Sequence, residues 1–233
     1  MTATALTRQK PKAKSQKPNA KMKKFTQLFS SLDQTTKTLG KIKALIEYFE
    51  KAPDQDKLWA IALLSHRRPK RTVNATYLAQ WANELSGLPQ WLFEESYHVV
   101  GDLAETITLM LPSEHEPSDF SLTYWMDFIK DLENKEVHEK KEKILWAWSQ
   151  LNESGRFVFN KLITGSFRVG VSQQLVVKAL AKYAGVAEST VAHGLMGNWS
   201  PDIDSFDELL YATKETDVSR PYPFYLAYAL DGP

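Results

Sequence analysis

A chain of 233 residues with 43% hydrophobic residues and seven tryptophans is long enough to bury a substantial core, as one domain or as two closely packed halves. The absence of cysteine excludes a disulfide framework and thiolate metal sites. No apolar run is long enough to span a bilayer, and the N-terminus lacks the apolar centre of a signal peptide. We therefore expect a cytoplasmic protein with no membrane partner.

The net charge of +1 hides an uneven distribution of charge along the chain. Residues 1–24 hold eight of the 29 basic residues and no acidic residue, which leaves 21 basic against 28 acidic residues in the remainder. Residues 1–22 are predicted to form a disordered basic tail, either simply solvated or used as a nucleic-acid arm. The mildly acidic remainder would bind nucleic acid only through local patches and helix ends.

Helical periodicity marks nearly all of the chain after this tail, and we divide it into a helical domain over residues 23–218 and an extended linker over 219–233. Apolar side chains recur at the spacing i, i+3, i+4, i+7, beginning with Phe25, Leu28, Phe29 and Leu32. Strand-like alternation is missing. The sequence therefore predicts an all-α fold of about ten to twelve helices.

Capping residues predict where individual helices begin and end. Asp54 is predicted to cap the third helix. The fourth helix is predicted to begin at Asn74 or Thr76 and to stop at Gly87. Its inner face is predicted to carry Leu78, Trp81 and Leu85.

A cluster of cations lies between these two helices, in residues 66–71, which we call the basic loop. Four of its residues are basic, Arg67, Arg68, Lys70 and Arg71, and Pro69 stiffens the turn. Cations this close repel one another unless an anion is near, which favours contact with phosphate. A solvated loop without a ligand fits the same residues.

A second loop, residues 165–171, separates two apolar helical segments and contains two glycines; we call it the glycine loop. Ser172 is placed to cap the following helix, whose first amides have no partner inside the helix and carry partial positive charge. A phosphate fits there if Gly165 and Gly170 let the backbone come close, with Arg168 as a charge-assisted donor. The same residues also fit one helix end followed by another helix start, without a ligand.

The spacing of Gly165 and Gly170 resembles a Walker A loop, but two features exclude that interpretation. Val171 stands where the phosphate-binding lysine is required, and no strand precedes the loop. The five histidines lack the spacing of a metal site, and paired carboxylates on amphipathic helices are typical of a solvated face. We therefore predict no nucleotide triphosphatase loop and no metal.

The two loops belong to a weak internal repeat. Leu63-Leu64-Ser65 and the basic loop are parallel to Leu162-Ile163-Thr164 and the glycine loop, at an offset of about one hundred residues. The similarity is either coincidence or the trace of a pseudo-twofold pair of halves. In the second case two phosphate-binding loops lie on one face and would grip both sides of a duplex.

Three motifs together resemble the N-terminal DNA-binding domain of bacterial ATP-dependent DNA ligases. They are residues 165–176 (GSFRVGVSQQLV), residues 191–199 (VAHGLMGNW) and residues 220–224 (RPYPF). The resemblance implies an all-helical, pseudo-twofold, monomeric unit that grips double-stranded or nicked DNA from the minor-groove side, in DNA repair, replication or recombination. It also implies DNA contacts by Arg67, Arg68, Lys70, Arg71, Thr164, Gly165, Ser166, Arg168, Gly170 and Ser172.

The sequence departs from a complete ligase at one decisive motif. It contains no Lys-x-Asp-Gly, and its only Asp-Gly pair is Asp231-Gly232. The resemblance implies that ATP and magnesium belong to a nucleotidyltransferase domain that carries this motif, so this chain is not expected to adenylylate itself. We interpret it as a fragment or truncated form of a ligase, or as a stand-alone DNA-binding protein near the nucleoid. The alternative is a helical protein-interaction scaffold whose partner covers the aromatic residues 220–230.

Overall fold

The computed structural model describes residues 22–112, 120–167, 169–202 and 205–211. Within these ranges the chain forms twelve α-helices and no strand, which confirms the predicted all-α fold. The predicted basic tail (except Met22), the linker over 219–233 and Arg168 lie outside the described residues. The helices are α1 (Met22–Gln34), α2 (Thr38–Lys51), α3 (Asp54–Leu64), α4 (Ala75–Ser86), α5 (Gln90–Val100), α6 (Leu103–Met110), α7 (Leu122–Asp131), α8 (Val137–Gln150), α9 (Glu153–Thr164), α10 (Gln173–Ala184), α11 (Glu188–Met196) and α12 (Phe206–Tyr211).

The order of the helices repeats after the sixth, at an offset of about one hundred residues. Helices α2 and α8 each have 14 residues, and α4 and α10 each have 12. Both of the latter end at a left-handed glycine, Gly87 and Gly185, each with a φ of 67°. Packing follows the same relation, since α1 contacts α9 while α7 contacts α3. The described helices therefore support a pseudo-twofold pair of halves rather than coincidence.

Most helix boundaries agree with the capping signals, and one differs by one residue. Asn74 caps α4 by accepting a hydrogen bond from the Thr76 amide at 3.0 Å. Pro53 rather than Asp54 is the residue before α3, so the predicted Asp54 cap was wrong. Asp54 instead lies in the first turn, where its carboxylate is 2.9 Å from the Lys57 ammonium. A carboxylate is favourable at either place because the helix start is partly positive.

The predicted inner face of α4 was wrong at its last member. Leu78 and Trp81 are buried, but Leu85 is 48% exposed. Helix α4 packs mainly against α6, and Leu85 lies in the last turn, immediately before the stop at Gly87. An apolar spacing shows which face of a helix is inward, but it does not show how far along the helix its neighbour extends.

A buried arginine near the start of α9 connects it to the ends of α6 and α8. Arg156 is 4% exposed, and its guanidinium donates to the carbonyl oxygens of Leu111, Pro112 and Trp148, each at 3.0 Å. These carbonyls end α6 or lie near the end of α8, where helical partners are missing. Burial lowers the pKa of Arg156, and the guanidinium stays charged because its ordinary pKa is far above neutrality.

A buried carboxylate joins the two halves. Asp56 of α3 is 5% exposed and accepts hydrogen bonds from the backbone amide and the hydroxyl of Thr123 in α7, at 2.9 and 2.5 Å. Burial raises the pKa of the Asp56 carboxyl, and the hydrogen bonds from Thr123 oppose that rise only in part.

This raised pKa predicts a pH dependence of stability. A carboxyl whose pKa is higher in the folded state than in the unfolded state contributes stability below its unfolded pKa and loses it as pH rises through the folded pKa. Urea unfolding of the wild type and of Asp56→Asn can be compared over a pH series. The free energy of unfolding of the wild type should fall as pH rises through the acidic range, and the variant should lack this fall. Asparagine keeps an acceptor oxygen for Thr123. Parallel curves for the two proteins would contradict the assignment.

Within the described ranges, none of the helices has the length and apolar character that a membrane span requires.

Candidate nucleic-acid interface

The basic loop leaves α3 at a fixed point. His66 has a φ of 63°, a left-handed conformation that few residues other than glycine adopt. The turn allows the Arg67 amide to donate to the Ala62 carbonyl at 2.8 Å, which satisfies one of the last carbonyls of α3. The backbone from which the side chains of the basic loop extend therefore has a defined conformation.

Arg67 turns inward to the end of α11. Its guanidinium donates to the carbonyl oxygens of Leu195 at 3.0 Å, Gly197 at 2.7 Å and Trp199 at 3.1 Å. The guanidinium carbon also lies 4.9 Å from the centroid of the Trp199 ring, and burial lowers the pKa of Arg67. This placement favours a structural role for Arg67 over the phosphate contact predicted from the sequence.

Arg68 and Arg71 instead reach the end of α9, where the glycine loop begins. Arg71 donates to the Thr164 carbonyl at 2.7 Å, and Arg68 donates to the Gly165 carbonyl at 3.0 Å. The last carbonyls of a helix carry partial negative charge, which the two guanidinium groups offset. The structure thus brings the basic loop and the glycine loop into direct contact, although about one hundred residues separate them in the sequence.

Buried side chains anchor the glycine loop to the core at every second residue. Phe167, Val169 and Val171 are each at most 7% exposed. The Phe167 ring stacks on Phe25 of α1 with centroids 5.6 Å apart and planes 13° apart. Between these anchors Gly170 is exposed and has a φ of 56°, so its backbone adopts the conformation that glycine favours.

Ser172 follows the loop and caps α10, as predicted. Its hydroxyl accepts a hydrogen bond from the Leu175 amide at 3.3 Å, and Ser172 itself is exposed. The start of α10 therefore opens to solvent beside the glycine loop. A partly positive helix start at the surface is suited to an anion.

The other predicted contact residues that the structure describes differ in their exposure to solvent. Thr164 is 4% exposed, and its hydroxyl donates to the Asn160 carbonyl at 2.7 Å, so this hydroxyl is used inside the protein. Ser166 and Lys70 are exposed. Arg168 lies outside the described residues, and its predicted phosphate contact stays a prediction.

Comparison with known families identifies the kind of domain that carries these loops. Residues 21–181, more than half of the chain, match the family described as "DNA ligase N terminus". The chain belongs to this DNA ligase N-terminal family. The match includes both the basic loop and the glycine loop. No curated protein matches the sequence.

In this member of the ligase N-terminal family, one cation at the candidate interface was not predicted from the sequence. Lys41 of α2 is 9% exposed, and its ammonium donates to the carbonyl oxygens of Val169 at 2.9 Å and Gly170 at 2.7 Å. A signal was present, because Lys41 precedes the buried residues Leu45 and Tyr48 by four and seven positions and so shares their helix face. A lysine on the apolar face of a helix marks a buried charge with a specific partner.

A groove of about 390 Å³ lies between the two loops. Apolar side chains line part of it, and the polar residues His66, Arg68 and Ser172 line the rest. Among the described residues no group of three or more histidine, aspartate or glutamate side chains is placed to hold a metal ion. The described groove offers the Arg68 guanidinium and backbone amides, which are groups that bind anions.

Proposed function

We propose that this domain binds duplex DNA around a nick, without sequence preference, by holding backbone phosphates between the basic loop and the start of α10. The observation that carries the proposal is the direct contact of Arg68 and Arg71 with the end of α9, beside the exposed start of α10. Membership of the DNA ligase N-terminal family supports DNA as the partner. The processes served would be DNA repair, replication or recombination.

The electrostatics of the two helix ends support phosphate at this place. A phosphate near the glycine loop would be repelled by the partly negative end of α9 and attracted by the partly positive start of α10. Arg68 and Arg71 offset the first effect. Arg71 is exposed and uses one of its five donors on Thr164 within the described residues, so donors remain for a phosphate.

We assign the adenylylation chemistry to a nucleotidyltransferase domain rather than to this one. The 233 residues contain no Lys-x-Asp-Gly, the motif whose lysine takes AMP from ATP in the ligase family that the sequence resembles. ATP and magnesium would act in that domain. The role of the present domain would be to hold the DNA.

Binding measured against salt concentration tests the proposal. Fluorescent duplexes of unrelated sequence should bind with similar affinity to one another at each salt concentration. Nicked duplexes should bind more tightly than intact ones. The logarithm of the association constant should fall linearly with the logarithm of salt, with a slope of about −0.9 for each phosphate neutralised. Absence of binding at low salt, or an affinity that does not change with salt, would contradict the proposal.

One observation favours a second candidate, a helical protein-interaction scaffold. Helix α5 buries only Phe93, whereas Trp91 is 65% exposed and Val99 is 85% exposed. Large apolar side chains exposed on one helix are typical of a surface that a protein partner covers. A pull-down with the full chain that retains a protein partner and no DNA would favour the scaffold. If a variant with Trp91 and Val99 both changed to serine still retains DNA, the DNA ligase interface is favoured instead.

A further inference from the structure

Lys41 lies directly beneath the glycine loop. Its ammonium contacts two consecutive carbonyls of the loop, and a Cβ atom added at Gly170 would lie 3.0 Å from the ammonium nitrogen. No carboxylate pairs with Lys41 in the part of the chain that the structure describes. Two backbone carbonyls, rather than a carboxylate, therefore hold this ammonium.

The geometry of the peptide bond links these two contacts to the opposite side of the loop. In a trans peptide the carbonyl and the amide hydrogen point in opposite directions, and the described chain has no cis peptide bond. Because the carbonyls of Val169 and Gly170 point at Lys41, the amides of Gly170 and Val171 point away from it. Neither amide donates to an acceptor within the described residues.

We propose that Lys41 is a positioning residue for phosphate binding, which turns the Gly170 and Val171 amides outward so that they donate to a DNA phosphate. This inference rests on the proposed function. Lys41 itself does not touch the phosphate. It fixes two peptide planes, and its charge favours the anion on their far side because the surrounding protein screens it less than water does.

The location of these amides supports an anion as the ligand. Gly170 is exposed, and the two peptide groups lead directly into Ser172, the cap of α10. The unpaired amides of Gly170 and Val171 therefore adjoin the first amides of α10, which also lack helical partners. Consecutive outward amides next to a helix start bind phosphate oxygens without any side chain.

The test uses the full chain and two variants of α2. Lys41→Met keeps most of the side-chain stem but removes the donors and the charge. Lys43→Met removes the same charge from an exposed lysine that is paired with Glu47 on the same helix. We expect Lys41→Met to weaken binding of a nicked duplex about tenfold, since two charge-assisted hydrogen bonds that hold the loop are lost. The slope of affinity against salt should stay unchanged, and Lys43→Met should bind like the wild type.

The outcomes separate this inference from the proposed function. If the wild type binds DNA and Lys41→Met binds equally well, the role of Lys41 is overturned while the proposed function stands. A salt slope that falls by about 0.9 in Lys41→Met would also overturn it, because that loss indicates a direct phosphate contact. If the wild type does not bind DNA, the proposed function is overturned, and this inference with it.

A measurement on the wild type alone covers the case in which Lys41→Met does not fold. Backbone amide resonances of Gly170 and Val171 in the ¹⁵N-labelled chain should shift when a short nicked duplex is added. They should also shift with inorganic phosphate at millimolar concentration. Resonances of these two amides that stay in place during saturation with the duplex would overturn the proposal.

Discussion

Replacement of both Arg68 and Arg71 by alanine is expected to weaken binding of duplex DNA by about a hundredfold, since each charge-assisted hydrogen bond to a phosphate contributes roughly tenfold. The change also removes the two contacts that offset the partly negative end of α9. The slope of affinity against salt should decrease by about 2, which corresponds to two lost phosphate contacts. Fluorescence anisotropy with two unrelated duplexes should show the same loss on both.

A control removes two charges of the same sign from another surface. Lys43 and Lys51 are both exposed residues of α2, and their double alanine variant should keep the wild-type affinity within about threefold, because separated surface charges are screened. Equal losses in the two double variants would mean that total charge controls binding. A loss confined to Arg68 and Arg71 would locate the phosphates at the loops.

Replacement of Arg67 by methionine is expected to act on the fold. The carbonyl oxygens of Gly197 and Trp199 lose the guanidinium donor, that of Leu195 keeps only the Trp199 indole as donor, and the guanidinium no longer stacks on Trp199. The free energy of unfolding should fall by about 2–4 kcal/mol, since groups left unsatisfied in a part-buried place each cost about 1–3 kcal/mol and some are reached by water. Urea denaturation monitored by tryptophan fluorescence measures this change.

The matched variant is Arg71→Met, which removes an exposed arginine from the same loop. It should change the free energy of unfolding by less than about 1 kcal/mol but should weaken DNA binding about tenfold. Arg67→Met should show the reverse, with an affinity of the folded protein close to that of the wild type. A stable Arg67→Met variant that binds DNA poorly would restore Arg67 as a phosphate contact.

The helices and several of their ends were predictable because their causes are local. The spacing of apolar residues, the cap at Ser172 and the stops at Gly87 and Gly185 each depend on residues within one or two turns. In the sequence the repeat was weak, and it fitted both a pseudo-twofold pair of halves and coincidence. The matching lengths and reciprocal packing of α1 on α9 and α7 on α3 favour symmetry.

The roles of the individual cations were not predictable, because each depends on what lies opposite in space. Arg67 and Arg68 are neighbours with the same side chain, yet one contacts the end of α11 and the other the end of α9. The sequence predicted no function for Lys41, although it lies beneath the glycine loop. Leu85 fitted an apolar stripe and is nevertheless 48% exposed.

By itself the sequence determined the helical fold, the two loops rich in glycine or arginine, and a resemblance to DNA ligases that the family match supports. Only the tertiary structure decided that the two loops meet, that Arg67 connects helices, and that Lys41 contacts carbonyls of the glycine loop. The physical reason is the range of the interactions. Helix propensity and capping act between near neighbours in sequence, whereas the environment of a charge is set by carbonyls and helix ends that folding brings from far along the chain.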